Sequence, residues 1–335
     1  MKIKSAPEGG VSRRQILQAG LTTAAALAIG GPANAAAQEQ RNRSSDTRVI
    51  DIHAHYFPQT YLDLVASDGK RFDAAYYTTD KGWFIKTPAG GNGPLPNKFI
   101  DLKARIADMD RQGVAVQAIS LTAPMLYWGD AELSTNLAKA WNDAATEAHR
   151  AYPTRLVCFL TLPMLYPDRA LAELERASKL PGMRGVYLGC NVAGRDLDDP
   201  LFEPVLARIE AMNLPVFLHP VDAGDARLRP YFLFNLLGNP VDTAIAAGHL
   251  IFGGVLDRHP KLQICLPHGG GVLPILAGRI DQGWKVRPDL KYLPQAPSAY
   301  LKRFTYDTIT HSKQVMEFVI QQVGPERVMV GSDYC

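Results

Sequence analysis

From Asp101 onward the chain alternates between two hydrophobic patterns. Short continuous apolar runs, bounded by turn residues, are separated by longer stretches in which apolar residues return every three or four positions. The first pattern predicts buried strands and the second amphipathic helices. Asp101–Gln112 reads as a helix, with Leu102, Ile106 and Met109 on one face and Gly113 as its stop. Further strands are predicted over 114–121, 155–162, 185–190, 214–219, 262–268, 303–309 and 327–333. Helices are predicted over 131–151, 168–180, 200–212, 241–258 with a break at Gly253-Gly254, 271–283 and 312–323. Val49, Ile50 and Ile52 supply one more strand ahead of the series. Eight strands alternating with helices predict an α/β fold with a parallel sheet, and the count is that of a closed (β/α)8 barrel of the TIM type. An open doubly wound sheet fits less well, because no G-x-G-x-x-G follows the first strand. Between that strand and Asp101 lies a long insertion, Pro58–Asn97. In it Tyr76–Thr79 and Trp83–Lys86 flank Asp80-Lys81-Gly82 as a hairpin, and Gly90–Pro94 is expected to break structure. A first-loop excursion of that length suits a lid.

With 335 residues, 47% of them hydrophobic, the chain can bury one large core. Its first residues read differently. Lys2, Lys4, the Arg13-Arg14 pair, the apolar run Ala19–Ile29 and Ala33-Asn34-Ala35 have the order of a twin-arginine export signal. The run is too short, and too rich in Ala, Thr and Gly, for a stable membrane anchor. The expected organisation is therefore an export signal over 1–37, a polar lead-in over 38–48, the barrel over 49–335, and a periplasmic or otherwise exported destination. This division also explains the charge. Residues 1–48 hold seven basic and three acidic residues, so the net +3 of the whole chain becomes −1 for the remainder. Nothing in the barrel asks for nucleic acid. Cys158, Cys190 and Cys265 lie in or beside strand-like runs without C-x-x-C spacing, and read as buried free thiols.

The candidate chemistry sits at strand ends. In an extended chain residues i and i+2 share a face, so His53 and His55 project together from the end of the first strand. His219 ends the fifth in V-F-L-H-P, His268 the sixth in C-L-P-H-G-G-G, and Asp333 the eighth in V-G-S-D-Y. Sites in such barrels are built from the C-terminal strand ends. Five ligand or acid–base groups thus converge on one mouth, with the nitrogen and oxygen donors that suit a zinc-type ion. His149, His249 and His259 fall in helical stretches and read as structural. His311, past the seventh strand, receives no role.

At these residues the chain resembles the amidohydrolase superfamily, and more closely the branch that includes aminocarboxymuconate-semialdehyde decarboxylase. The matching stretches are I-D-I-H-A-H (50–55), R-I-A-D-M-D-R-Q-G-V (105–114), Y-P-T-R-L-V (152–157), F-L-H-P (217–220), H-G-G-G (268–271), G-R-I (278–280), R-P-D-L (287–290) and G-S-D-Y (331–334). The resemblance implies one divalent ion held by His53, His55, His219 and Asp333, zinc first and manganese as the other candidate. It implies His268 as the acid–base residue, with Asp333 as an alternative proton donor. Binuclear relatives carry a lysine in mid-barrel, and the fourth strand, G-V-Y-L-G-C, has none. Arg279 resembles an arginine that relatives contribute across a homodimer interface; its other reading is a helix-surface cation.

Three departures stand out. Relatives grip the substrate carboxylate with an arginine in the first loop, where Lys86 is the nearest cation here. Val221 stands where the closest relatives have an aromatic residue, so a different substrate is expected. The family also continues past G-S-D-Y, so the last helix of the barrel is expected to be missing from this chain.

The function expected from all this is a metal-dependent decarboxylase acting on a small unsaturated or aromatic carboxylic acid. A metal-dependent hydrolase of a C–C, lactone or amide bond could use the same groups. A truncated, non-catalytic remnant is the third reading. For the leader, Arg13→Lys together with Arg14→Lys should stop export and leave fold and metal content intact, since the pair is a receptor-read address. Cell fractionation checks this, and unchanged delivery of the double variant would mean another route.

Overall fold

The structure is a computed structural model, described for residues 48–221 and 224–334. The expected export signal and nearly all of the lead-in lie outside the described residues. From Arg48 onward the chain forms one compact unit.

Eight strands make a single parallel sheet: β1 (Val49–His55), β2 (Val114–Ser120), β3 (Leu156–Thr161), β4 (Met183–Gly189), β5 (Val216–His219), β6 (Ile264–Leu266), β7 (Phe304–Asp307) and β8 (Val328–Met329), hydrogen-bonded in chain order. The ring closes beyond the short β8. Ile52 N–H donates to the Val330 carbonyl (2.9 Å), Asp333 N–H to the His53 carbonyl (2.9 Å) and His55 N–H to the Tyr334 carbonyl (2.6 Å). On the outside of this seam Ile50 is 51% and Val330 45% exposed.

The helices follow from local signals. α1 (Leu102–Gln112) starts at Asp101, whose side chain accepts from Lys103 and Ala104 N–H, and stops at Gly113 with φ 72°. α2 (Ala131–Ala151) is capped by Asp130, and its buried Trp141 donates to the Tyr56 carbonyl (2.9 Å), tying the helix to the end of β1. α3 (Pro167–Ala177), α4 (Glu203–Ala211), α5 (Asn239–Phe252), α6 (Leu273–Val286) and α7 (Lys313–Val323) complete the outer layer. The break at Gly253-Gly254 is present: Gly254, at φ 69°, separates α5 from a short helix, Val255–Arg258. The three cysteines are buried free thiols, and burial pushes the Cys158 thiol up to about 12.

Two expectations need correction. Gly90–Pro94 does not break structure. Gly90–Leu95 is a strand that adds to the hairpin of Ala75–Thr79 and Gly82–Thr87, making a three-stranded antiparallel sheet. Its glycines permit the close approach: at Gly93 (φ +141°) a Cβ would sit 2.5 Å from the Phe84 ring. The eighth strand is also shorter than its apolar run suggests. At Gly331 a Cβ would meet the Asp307 Cβ at 3.0 Å and the His53 Cβ at 3.1 Å, and Asp333 takes φ 56°. The strand gives up its alternation there to turn Asp333 inward. No helix among the described residues is long and apolar enough to cross a membrane.

Candidate metal centre

The barrel brings the strand-end residues together. One ligand atom each from His53, His55, His219 and Asp333 lies within 4.8 Å of all the others. His53 is fully buried; His55 and His219 are 5% and 6% exposed. Hydrogen bonds on the far side of the rings fix which atoms face inward. His53 Nδ1 donates to Asp307 Oδ2 (2.7 Å), and His219 Nδ1 donates to the Pro220 carbonyl (2.8 Å). Both therefore turn Nε2 toward the centre. There His53 Nε2 and His55 Nε2 are 3.2 Å apart, and Asp333 Oδ1 is 2.8 Å from His55 Nε2 and 3.2 Å from His53 Nε2.

Two imidazole nitrogens facing each other at that distance are held by one shared proton or by a cation between them. The donors meet the demand of one ion: tetrahedral ligands about 2.0–2.1 Å from zinc stand roughly 3.4 Å apart, a small expansion of the observed spacing. Electrostatics agree. Burial pushes His55 down to about 4 and, with the neighbouring imidazoles, holds His219 well below its ordinary value. Both are thus kept in the neutral form that binds metal. Burial also works against protonated His53, but Asp307 and Asp333 outweigh it and lift that group to about 10. Burial would raise Asp333, yet hydrogen bonds from His268, His53 and His55 hold it far below the usual carboxylate range. The cluster is built to keep one buried positive charge beside two carboxylates.

His268 takes a different position. Its Nε2 is 3.6 Å from Asp333 Oδ2, the oxygen turned away from the His53–His55 pair. Its backbone, at φ 54°, is left-handed, and it is not among the residues lining the cavity above the cluster. That cavity is about 600 Å³. His55, His219 and Asp333 form part of its lining, Phe99, Phe232 and Phe234 give it aromatic walls, and Gly90–Asn92 and Pro94–Pro96 of the insertion form one side. The insertion therefore overhangs the mouth, as a lid would.

The two expected substrate cations do not line the cavity of their own chain. Lys86 is not among the lining residues and pairs with Asp73 (2.7 Å). Arg279 is exposed on α6 and does not line the cavity. Arg229 does line it, as the one Arg or Lys among the described residues that do. Among the described residues it forms no ion pair. The helical histidines are structural, as expected: His149 Nδ1 meets the Leu156 carbonyl, His249 lies between Asp196 and Asp198, and His259 between Glu203 and Glu210.

A sequence profile described as amidohydrolase matches residues 50–335. The chain belongs to the amidohydrolase family. It is 31% identical to a 2-amino-3-carboxymuconate-6-semialdehyde decarboxylase of Dictyostelium discoideum, over 85% of this chain and 81% of that protein. Among solved structures it resembles the IDCase of Metarhizium anisopliae in apo form, with a TM-score of 0.78, 28% identity, and 87% and 85% of the two chains covered. It also resembles the 5-carboxyvanillate decarboxylase of Sphingomonas paucimobilis, with a TM-score of 0.74, 28% identity, and 86% and 88% covered.

Within this family framework two supports of the site escaped the sequence reading. Asp307 is fully buried at the end of β7 and also accepts from Gly269 N–H (3.0 Å) and Ile309 N–H (3.1 Å). The strand-end rule would have found it, had β7 not been drawn two residues too long. Asp51 is the second. It accepts from Ser332 Oγ (2.6 Å), Ser332 N–H (3.0 Å), Gln117 Nε2 (2.7 Å) and His53 N–H (3.1 Å), and so fixes the turn that carries Asp333. On the other side of Asp333, Tyr334 donates to Asp108 (2.7 Å). Its ring lies under the guanidinium of the buried Arg105, 4.5 Å from the centroid.

Two substitutions separate ligand from support. His53→Ala with His55→Ala should abolish metal retention, since two of four donors go. Asp307→Asn should keep the fold but weaken metal affinity about 10–100-fold, because His53 loses the carboxylate that orients it. Metal content after dialysis against graded chelator reads both; full retention in the double variant would dismiss the cluster as a metal site.

Proposed function

We propose that this protein is a metal-dependent carboxy-lyase that removes carbon dioxide from a small unsaturated or aromatic carboxylic acid. The observation that carries the reading is a cluster of three buried nitrogens and one half-buried oxygen beneath a cavity of about 600 Å³ with aromatic walls and an arginine, Arg229, that forms no ion pair among the described residues. The decarboxylases among its relatives support it. Three imidazoles and one carboxylate favour zinc as the ion, with manganese as the alternative. When bound, the ion supplies Lewis-acid stabilisation of negative charge.

The chain's own groups supply the rest. The bond between the substrate carbon and its carboxylate breaks, the electron pair stays on that carbon, and a proton replaces the departing carbon dioxide. Asp333 faces the cavity and His268 Nε2 stands 3.6 Å behind its outer oxygen. His268 supplies that proton, and the ionised Asp333 carboxylate beside it holds the imidazole at the cluster. Phe99, Phe232 and Phe234 give the ring or diene apolar walls, and Arg229 faces a polar group of the substrate.

The proposal extends to assembly. Phe232, Leu236 and Ile245 with Ile275 and Leu276 of α6 are exposed, an apolar face that a second copy of the chain would cover. Arg279 lies beside it, so a homodimer would bring it toward the partner. Delivery by the twin-arginine route completes the proposal.

The deciding assay is carbon dioxide release from a panel of hydroxybenzoates and muconate-type acids by metal-loaded protein. Net uptake of water without carbon dioxide would replace the reading with a hydrolase. His268→Ala should keep its metal and lose about 10²–10⁴-fold in turnover; a near-normal rate would make His268 structural. Ile275→Asp should convert the dimer to monomer by light scattering, and an unchanged mass would place the interface elsewhere.

A further inference from the structure

The opposite end of the barrel holds a second cavity, of about 390 Å³. That volume is within the range of small-molecule sites, about 300–1,000 Å³. It opens among the segments that lead into β5, β6 and β7, at Pro215, Pro260–Gln263 and Arg303, so it lies on the N-terminal face, away from the mouth. Inside, Ile52, Phe159, Phe217, Ile264 and Met329 give it apolar walls. Phe217 marks the boundary between the two sites: it lines this cavity, and its ring packs edge-on against His53 with centroids 4.9 Å apart.

Cationic side chains stand at the opening of this cavity. Lys261, Arg303 and Arg327 line the cavity, and among the described residues no Asp or Glu does. Arg303 is fixed in place: its guanidinium donates to the carbonyls of Leu256 (3.3 Å), His259 (3.5 Å) and Pro260 (2.8 Å). Those neutral acceptors orient the group without cancelling its charge. Neither Arg303 nor Arg327 forms an ion pair among the described residues. An oriented cation, a second arginine and an apolar interior together match a ligand with an anionic head and a hydrocarbon body.

We propose that this cavity is a second binding site, which takes a small amphipathic carboxylic acid: hydrocarbon against Phe159, Phe217 and Met329, carboxylate on Arg327 and Arg303. The site is independent of the reaction at the mouth.

Calorimetric titration of sodium octanoate into the metal-loaded full chain tests it. One octanoate per chain is expected. Arg327→Gln should weaken it at least about tenfold through loss of a charge-assisted contact. Raising salt from about 0.05 to 0.5 M should weaken it as well. Gln263→Trp, which narrows the opening without changing charge, should weaken binding in parallel. Arg229→Gln, at the mouth, should leave octanoate binding unchanged. Turnover of Arg327→Gln equal to the parent chain would show that its fold is intact. Absence of binding up to about 10 mM, beyond any specific small-molecule site, would overturn the proposal. So would equal affinity in Arg327→Gln, or loss of binding in Arg229→Gln, which would assign the octanoate to the mouth.

Discussion

Nitrogens from three buried imidazoles and an oxygen of the half-buried Asp333 carboxylate are held within 4.8 Å of one another. A cation meets all of these groups at once, and much of the surrounding structure serves to keep them in place. Asp307 and the Pro220 carbonyl take the outward Nδ1–H groups of His53 and His219, which leaves both Nε2 atoms facing inward. Burial then keeps His55 and His219 neutral. A metal ion is the natural partner of these donors, because it meets all four at once and brings the charge that the two nearby carboxylates balance.

The carboxylate ligand is the hardest to hold. Asp333 lies in a left-handed turn at the seam where the barrel closes, a conformation with no local support from its own short strand. Its neighbours are secured instead. Ser332 is tied to Asp51, and Tyr334 to Asp108 and Arg105. The same Arg105 donates to Gln117 (2.7 Å) and to the His55 carbonyl. One buried polar network thus runs from α1 through β1 to the closing segment, so the ligand pair on β1 and the ligand beyond β8 are positioned by shared hydrogen bonds.

Above the cluster the fold separates two tasks. The barrel supplies the donors and the acid–base residue; the insertion and the segment after β5 supply the walls. Val221, one of the departures expected from relatives, and Arg229 belong to the wall, while the donors stand below on the barrel. A site divided in this way can change its acid while keeping its chemistry.

The sequence by itself determined the eight-strand alternation, the helix boundaries near Asp101, Gly113 and Gly253, and four donors at strand ends. Each of these rests on local periodicity, capping or strand-end position, which neighbouring residues decide. Three things were decided only by tertiary structure. Asp307 and Asp51 became supports because closure of the barrel brings them against His53 and Ser332, residues far away in the chain. Gly90–Leu95 became a strand because an existing hairpin offered it an edge, with room only for glycine at Gly93. Arg229, rather than Lys86, came to line the cavity because Lys86 is drawn aside by Asp73. Residue type and spacing show which groups can ligate, but which of them meet depends on how the ring closes and which counter-charge is nearest in space.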